Sequence, residues 1–87
     1  MTTEHSHEHD EKTVTVNVNN KPVVFSDHKA TGMEIKVAAI NQGVQIEEDF
    51  NLFEDKGDEP LKSIGNDDTI TIHRNQEFTA VPPDDNS

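Results

Sequence analysis

The stretch TVTVNVN at residues 13–19 constrains the fold more than any other feature of the chain. Its three valines alternate with Thr15 and Asn17, and a period of two built from β-branched residues is typical of a strand with one buried face. The asparagines of Asn19-Asn20-Lys21 tolerate a positive φ and predict a tight turn. PVVFSD follows as a second strand, so the folded part begins with a β-hairpin.

Residues 31–43, TGMEIKVAAINQG, carry the one clear helix pattern. Thr31 and Glu34 fit a capping box, and Gly43 fits the position after the helix, where φ is positive. The apolar residues form two stripes, Ile35 with Ala38 and Ala39, and a looser set of Met33, Val37 and Ile40. The second stripe is either additional core beneath a loop or a face that binds a partner.

Three further segments have strand character. DFNLFED places Phe50 and Leu52 on one side and Phe53 on the other, whereas DTITIHR alternates between inward isoleucines and outward Thr71 and His73. FTAV adds a last short strand or lies over the sheet. Because the first strand and DTITIHR have the strongest alternation, we expect them to lie side by side at the centre of the sheet.

Composition excludes several functions. The 87 residues suffice for one small domain, and a net charge of −11, from 7 basic and 18 acidic residues, argues against binding nucleic acid or anionic lipid. The absence of cysteine rules out disulfides, thiol catalysis and thiolate metal sites. No apolar run approaches the length of a membrane span, and no signal-peptide pattern opens the chain, so we predict a cytoplasmic protein.

The chain divides into three parts. Residues 1–12 predict a disordered, acidic, His-rich arm, residues 13–81 a folded domain, and residues 82–87 a flexible C-terminal tail. In the arm, His5, His7 and His9 are weak candidates for a metal site, and the alternative is a solubilising segment. No catalytic set is visible, so we predict no enzymatic activity and no cofactor.

The order of strand, strand, helix, strand, loop and strand is similar to the β-grasp arrangement of ubiquitin. The segments VNVNNKPVVF, TGMEIKVAA and FNLFEDKGDEPLKSIGNDDTITIHRNQEFTAVPP, in that order, resemble the bacterial multiubiquitin domain family over about residues 13–83. The resemblance implies an α+β, ubiquitin-like β-grasp fold, in which a mixed sheet of four to five strands carries one helix across one face.

The resemblance also implies a function. Such a domain acts as a protein modifier or recognition module in a bacterial ubiquitin-like conjugation pathway that forms isopeptide bonds. The implied partners are ubiquitin-activating-like and conjugating-like enzymes, a JAB-type metallopeptidase and target proteins. The alternative is a β-grasp adaptor that is never conjugated. Two features depart from the family pattern: the chain holds one such domain, and its last glycine, Gly65, precedes the final strands, so there is no terminal Gly-Gly.

The missing Gly-Gly leaves three interpretations of the C-terminal FTAVPPDDNS open. The tail is unused and the domain only binds, or a peptidase trims it near Ala80 or Val81 before conjugation, or an activating enzyme accepts Ser87 directly. Pro82 and Pro83 stiffen the tail towards polyproline II in each case.

A binding surface is the remaining candidate site. If the sheet exposes the face opposite the helix, the resemblance to ubiquitin implies a recognition patch there, and we predict Phe53, Thr71 and His73 as its members. Alternatively, FTAV covers Phe53, or Phe53 is a lone exposed apolar residue. The possible acceptors in a chain of linked domains are Lys12, Lys21, Lys29, Lys36, Lys56 and Lys62.

Overall fold

A computed structural model describes residues 13–83, which form seven strands and one helix. In chain order these elements are β1 (Val14–Val18), β2 (Lys21–Phe25), β3 (Lys29–Thr31), α1 (Gly32–Asn41), β4 (Asn51–Asp55), β5 (Lys62–Ile64), β6 (Thr69–Thr71) and β7 (Glu77–Val81). The predicted arm at residues 1–12 and the tail from residue 84 onward lie outside the described residues.

Five of the strands form one mixed sheet in the order β2-β1-β7-β4-β5. β1 and β7 run parallel, whereas β1–β2, β4–β7 and β4–β5 are antiparallel. β3 and β6 form a separate antiparallel pair. The mixed five-stranded sheet with one helix confirms the predicted ubiquitin-like β-grasp fold of the α+β class.

The core lies between α1 and the inner face of the five-stranded sheet. Each long strand sends alternate side chains to this face, as a period of two requires. The buried apolar side chains are Val14, Val16, Val18, Val23, Phe25, Ala30, Ile35, Ala39, Val44, Ile46, Leu52, Ile64, Ile72, Phe78 and Ala80. The inward set on β1 is therefore the one that the sequence predicts.

The predicted hairpin is present, and its turn has a sequence-encoded geometry. Asn19 and Asn20 have φ of 54° and 68°, the pair of positive values that a two-residue hairpin turn demands. Pro22 lies in β2, an edge strand of the sheet, where its missing N–H costs no ladder bond. Beside it, the Gln42 side chain bonds both the N–H and the carbonyl of Val24, at 2.8 and 2.9 Å, and covers part of this edge.

α1 begins and ends as predicted. The Thr31 hydroxyl accepts from the backbone N–H of Glu34 at 3.1 Å, and the Glu34 carboxylate accepts from that of Thr31 at 2.9 Å, which completes the capping box. Gly43 has φ of 100° just beyond the helix. Ile35 and Ala39 are buried, and Ile40 of the second stripe packs against the core, which favours its interpretation as additional core.

The predicted neighbour of β1 is wrong. β6, which is formed by the middle of the DTITIHR segment, pairs with β3. The strand beside β1 is β7, which contains FTAV. Ile72 still points inward and is 2% exposed, so the alternation was interpreted correctly but the partner was not. β7 takes the central position, parallel to β1, that was predicted for DTITIHR, so the sheet still has the β-grasp arrangement.

The β3–β6 pair lies at the start of α1 and positions a loop that caps the helix. It brings residues 65–68 against the first turn of α1, where Gly32 N–H donates to the Asp68 carbonyl at 3.1 Å and Met33 N–H to the Asn66 carbonyl at 3.2 Å. The first N–H groups of a helix have no partner within it. Carbonyls of the loop therefore accept hydrogen bonds from the N–H groups that have no acceptor within the helix.

Candidate functional site

The face of the five-stranded sheet opposite α1 carries the candidate binding surface. Phe53 on β4 is half-buried and lies opposite Thr79 of β7 on one side and Ser63 of β5 on the other. Val81 shares this face with Thr79 by alternation and is 37% exposed. Phe53, Ser63, Thr79 and Val81 are called the outer patch below.

The structure does not bring Phe53 together with Thr71 and His73. Phe53 belongs to the five-stranded sheet, whereas Thr71 ends β6 in the two-stranded one. Thr71 and His73 instead line a shallow concavity with Glu54, Lys56 and Lys62. The physical reason is that β6 lies in the two-stranded sheet and not beside β1, so its outward side chains are not on the outer face of the five-stranded sheet. Of the three predicted patch residues, only Phe53 is on the outer patch.

Gln76 fixes the position of Thr71 and His73. Its Nε2 donates to Glu54 Oε2 at 2.9 Å and to the Thr71 carbonyl at 3.2 Å, and its Oε1 accepts from His73 N–H at 2.8 Å. One amide therefore ties the turn before β7 to both β4 and the end of β6.

Sequence reasoning did not assign Ser63, Thr79 or Val81 to the binding surface, and it named Val81 only as a candidate processing residue. The signal for the last two was present, because FTAV itself alternates, with Phe78 and Ala80 buried and the residues between and after them outward. That alternation identifies neighbours of Phe53 only once this strand is known to lie beside β4. Ser63 had no such signal, since a three-residue strand carries too little pattern to assign a face.

The outer patch has an acidic border. Asp55 on β4 lies directly opposite Glu77 on β7, a like-charge pair of the kind that destabilises a sheet. Asn17 Nδ2 donates to Glu77 Oε2 at 2.9 Å, and Asp55 Oδ1 accepts from Gly57 N–H at 2.9 Å. Within residues 13–83 neither carboxylate has a cationic partner, so a basic group on another molecule would relieve their repulsion.

The candidate processing residues differ in accessibility. Ala80 is 4% exposed, and its N–H and carbonyl are both bonded by the Asn19 side chain, at 2.8 and 3.0 Å. Val81 is exposed and is the last residue of β7. Ser87 lies outside the described residues. Ala80 is therefore part of the folded sheet, and the accessible chain starts beyond it.

Lys36 differs from the other candidate acceptor lysines. It is 3% exposed, and its Nζ donates to the carbonyls of Glu48 at 2.7 Å and Phe50 at 2.8 Å. This ammonium group holds the acidic turn before β4 against the helix and cannot attack a carbonyl while it does so. The lysines exposed within the described part are Lys21, Lys29, Lys56 and Lys62, and Lys12 lies outside it.

Two further predictions concern metals and membranes. His5, His7 and His9 lie outside the described residues, and within residues 13–83 no group of three His, Cys, Asp or Glu side chains could hold a metal ion. In that same part of the chain, no helix has the length and apolar character that crossing a membrane requires. The absence of enzymatic activity and the cytoplasmic location stay predictions.

Comparison with known proteins agrees with the geometry. Residues 14–84 match a family described as multiubiquitin. Neither the curated proteins nor the solved structures give a significant match. The matched segment spans all seven strands and the helix, and so covers the whole β-grasp domain. The chain belongs to the multiubiquitin family.

Proposed function

We propose that the chain is a ubiquitin-like protein modifier or recognition module of a bacterial ubiquitin-like conjugation pathway. The observation that carries the proposal is the position of β7. This strand lies in the centre of the sheet, contributes Thr79 and Val81 to the outer patch, and then passes directly into the C-terminal tail. A partner that grips the outer patch is therefore already next to the point where the tail leaves the domain.

The outer patch fits a partner with an apolar centre and a basic border. Phe53 supplies a half-buried aromatic side chain, a residue type that is enriched in the cores of protein–protein interfaces. Asp55 and Glu77 at the border favour Lys or Arg on the other side, and the net charge of −11 would speed the approach of such a partner.

The proposed partners are a ubiquitin-activating-like enzyme, a conjugating-like enzyme, a JAB-type metallopeptidase and the target proteins. In activation, the C-terminal carboxylate would attack the α-phosphate of ATP, which forms an acyl-adenylate and releases pyrophosphate. An enzyme cysteine would then take the acyl group as a thioester and release AMP. A lysine amine would finally displace the cysteine thiol and form the isopeptide bond. The proposal covers the two routes named in the sequence analysis, in which a peptidase trims the chain near Ala80 or Val81 before activation or the activating enzyme accepts Ser87 directly.

The test is intact mass after incubation with ATP and an activating-like enzyme from the source organism, and separately with a JAB-type peptidase from that organism. A covalent adduct that requires ATP, or the loss of tail residues, supports the proposal. Reactions without ATP and with Phe53→Ser serve as controls, and the variant should react more slowly if the outer patch positions the enzyme. An unchanged mass in every reaction contradicts the role as a modifier.

A second candidate function is a β-grasp adaptor that is never conjugated. It is favoured by the sequence after β7, where Pro82 and Pro83 follow Val81 at once and stiffen the chain towards polyproline II. For this function Phe53→Ser should weaken partner binding while deletion of residues 84–87 leaves the affinity unchanged. Loss of binding on deletion of the tail would contradict it.

A further inference from the structure

We propose that the side-chain amide of Asn19 fixes where the C-terminal tail begins, by locking Ala80 into the sheet so that tail-directed enzymes reach the chain only beyond Ala80. The biological use of this boundary rests on the function proposed above. The boundary itself is a property of the folded chain and is testable without any other component of the pathway.

The side-chain amide of Asn19 bonds the backbone of Ala80 at the point where the β1 backbone turns away from β7. Asn19 N–H donates to the Phe78 carbonyl at 3.0 Å, which continues the parallel ladder between β1 and β7. A regular strand would next offer its own carbonyl to Ala80 N–H. Asn19 instead lies in the hairpin turn with φ of 54°, and its backbone points elsewhere. Its Oδ1 accepts from Ala80 N–H at 2.8 Å, and its Nδ2 donates to the Ala80 carbonyl at 3.0 Å.

Ala80 is held from its other sides as well. Leu52 of β4 is its ladder neighbour, and the Ala80 side chain is 4% exposed in the core. A peptidase binds several residues on both sides of the bond that it cuts as an extended segment. Cleavage between Ala80 and Val81 therefore requires the end of β7 to leave the sheet, and its rate follows the population of that opened state.

The next two peptide bonds have a different chemistry. The Val81–Pro82 and Pro82–Pro83 bonds each take their nitrogen from a proline. Both bonds are therefore tertiary amides without an N–H. Pancreatic elastase cuts after small apolar residues but not before proline. In this region it therefore reports on the Ala80–Val81 bond alone.

The experiment compares Asn19→Gly with Asn20→Gly. Glycine tolerates the positive φ of both turn positions, so neither variant strains the hairpin, and within the described residues the Asn20 side chain bonds nothing. Each hydrogen bond of this kind changes an opening equilibrium by roughly two- to tenfold. With elastase and intact-mass detection, Asn19→Gly should lose residues 81–87 about tenfold faster than the wild-type chain, and Asn20→Gly should match the wild type.

Two results would overturn the proposal. One is equal cleavage after Ala80 in both variants, and the other is a wild-type chain that is cut there as fast as Asn19→Gly. Cuts after the helical Ala38 and Ala39 reveal general unfolding of a variant. In that case amide hydrogen exchange of the wild type decides, because the proposal requires slow exchange at Ala80 and fails if that amide exchanges like an unstructured peptide.

Success and failure here are distinguishable from those of the proposed function. The elastase and exchange experiments use the purified chain, so a chain that is never conjugated can still show the boundary at Ala80. Conversely, a covalent adduct with no effect of Asn19→Gly on cleavage would support the modifier function and remove this inference.

Discussion

β1 and β6 have the same alternating pattern of β-branched and polar residues, and they occupy different places in the fold. β1 lies inside the five-stranded sheet between β2 and β7, whereas β6 pairs only with β3 in a two-stranded ribbon at the start of the helix. Val16 of β1 is fully buried, whereas Ile70 of β6 is half-buried. Alternation therefore encodes a strand with an inner face but not the identity of the neighbouring strand.

The central place goes to the strand that fills the core. β7 contributes Phe78, one of the largest fully buried side chains. All five of its residues pair with β4, and Glu77 and Phe78 also pair with β1. β6 has three residues and smaller inward side chains. Burying more apolar area outweighs the greater β propensity of DTITIHR, because propensity differences are small beside the burial of an aromatic ring.

The largest expected effect comes from removing the side chain that places β7. Phe78→Ala should lower the free energy of unfolding by about 3–5 kcal/mol, since it leaves a cavity at the centre of the sheet. Ile70→Ala on β6 is the matched change in the peripheral ribbon and should cost roughly half as much, because the side chain is half-buried. Urea denaturation of both variants measures the difference, and an equal or larger loss for Ile70→Ala would remove the distinction between the two strands.

Engineered disulfides can test the neighbours directly, since the chain has no cysteine of its own. Asn17 lies opposite Glu77, and neighbouring strands about 4.8 Å apart are within disulfide range. Asn17→Cys with Glu77→Cys should crosslink under mild oxidation and stabilise the fold by up to about 4 kcal/mol, because it closes a long loop. The control, Asn17→Cys with Thr71→Cys, joins β1 to β6 and should stay reduced; mass spectrometry of both decides. Ready crosslinking of the control would restore the neighbour predicted from the sequence.

A smaller effect is expected where the peripheral ribbon meets the helix. A Cβ on Gly32 would collide with the Gly65 carbonyl oxygen, whereas one on Gly65 would meet only the Asp68 side chain. Gly32→Ala should therefore cost about 1–3 kcal/mol, although alanine normally stabilises a helix, and Gly65→Ala should cost less than about 1 kcal/mol. Thermal unfolding compares them. A stabilising Gly32→Ala would show that the loop does not press against the helix start.

Much of the local structure could be predicted because its determinants lie within a few residues of each other. The hairpin turn depends on two adjacent asparagines, and the helix boundaries depend on Thr31, Glu34 and Gly43. The inward and outward faces of β1 and β4 follow from their alternation.

The candidate site was less predictable because it combines residues from strands far apart in the sequence. Phe53 was correctly placed outward, but its neighbours depend on which strands flank β4, and those are β5 and β7. Asn19 was recognised only as a turn former. Its bonds to Ala80 join residues 61 positions apart, and no local pattern signals such a contact.

Spacing, turn chemistry and capping were enough to place the longer strands and the helix and to assign the inner faces of β1 and β4, and they carried the resemblance to the family. They did not predict the three-residue strands β3 and β5. Three features emerge only when the chain is folded: β7 rather than β6 lies beside β1, Lys36 is buried against two carbonyls, and the Asn19 side chain bonds the backbone of Ala80. Those outcomes depend on competition for a shared core and for unpaired backbone groups, and such a competition is settled between distant segments.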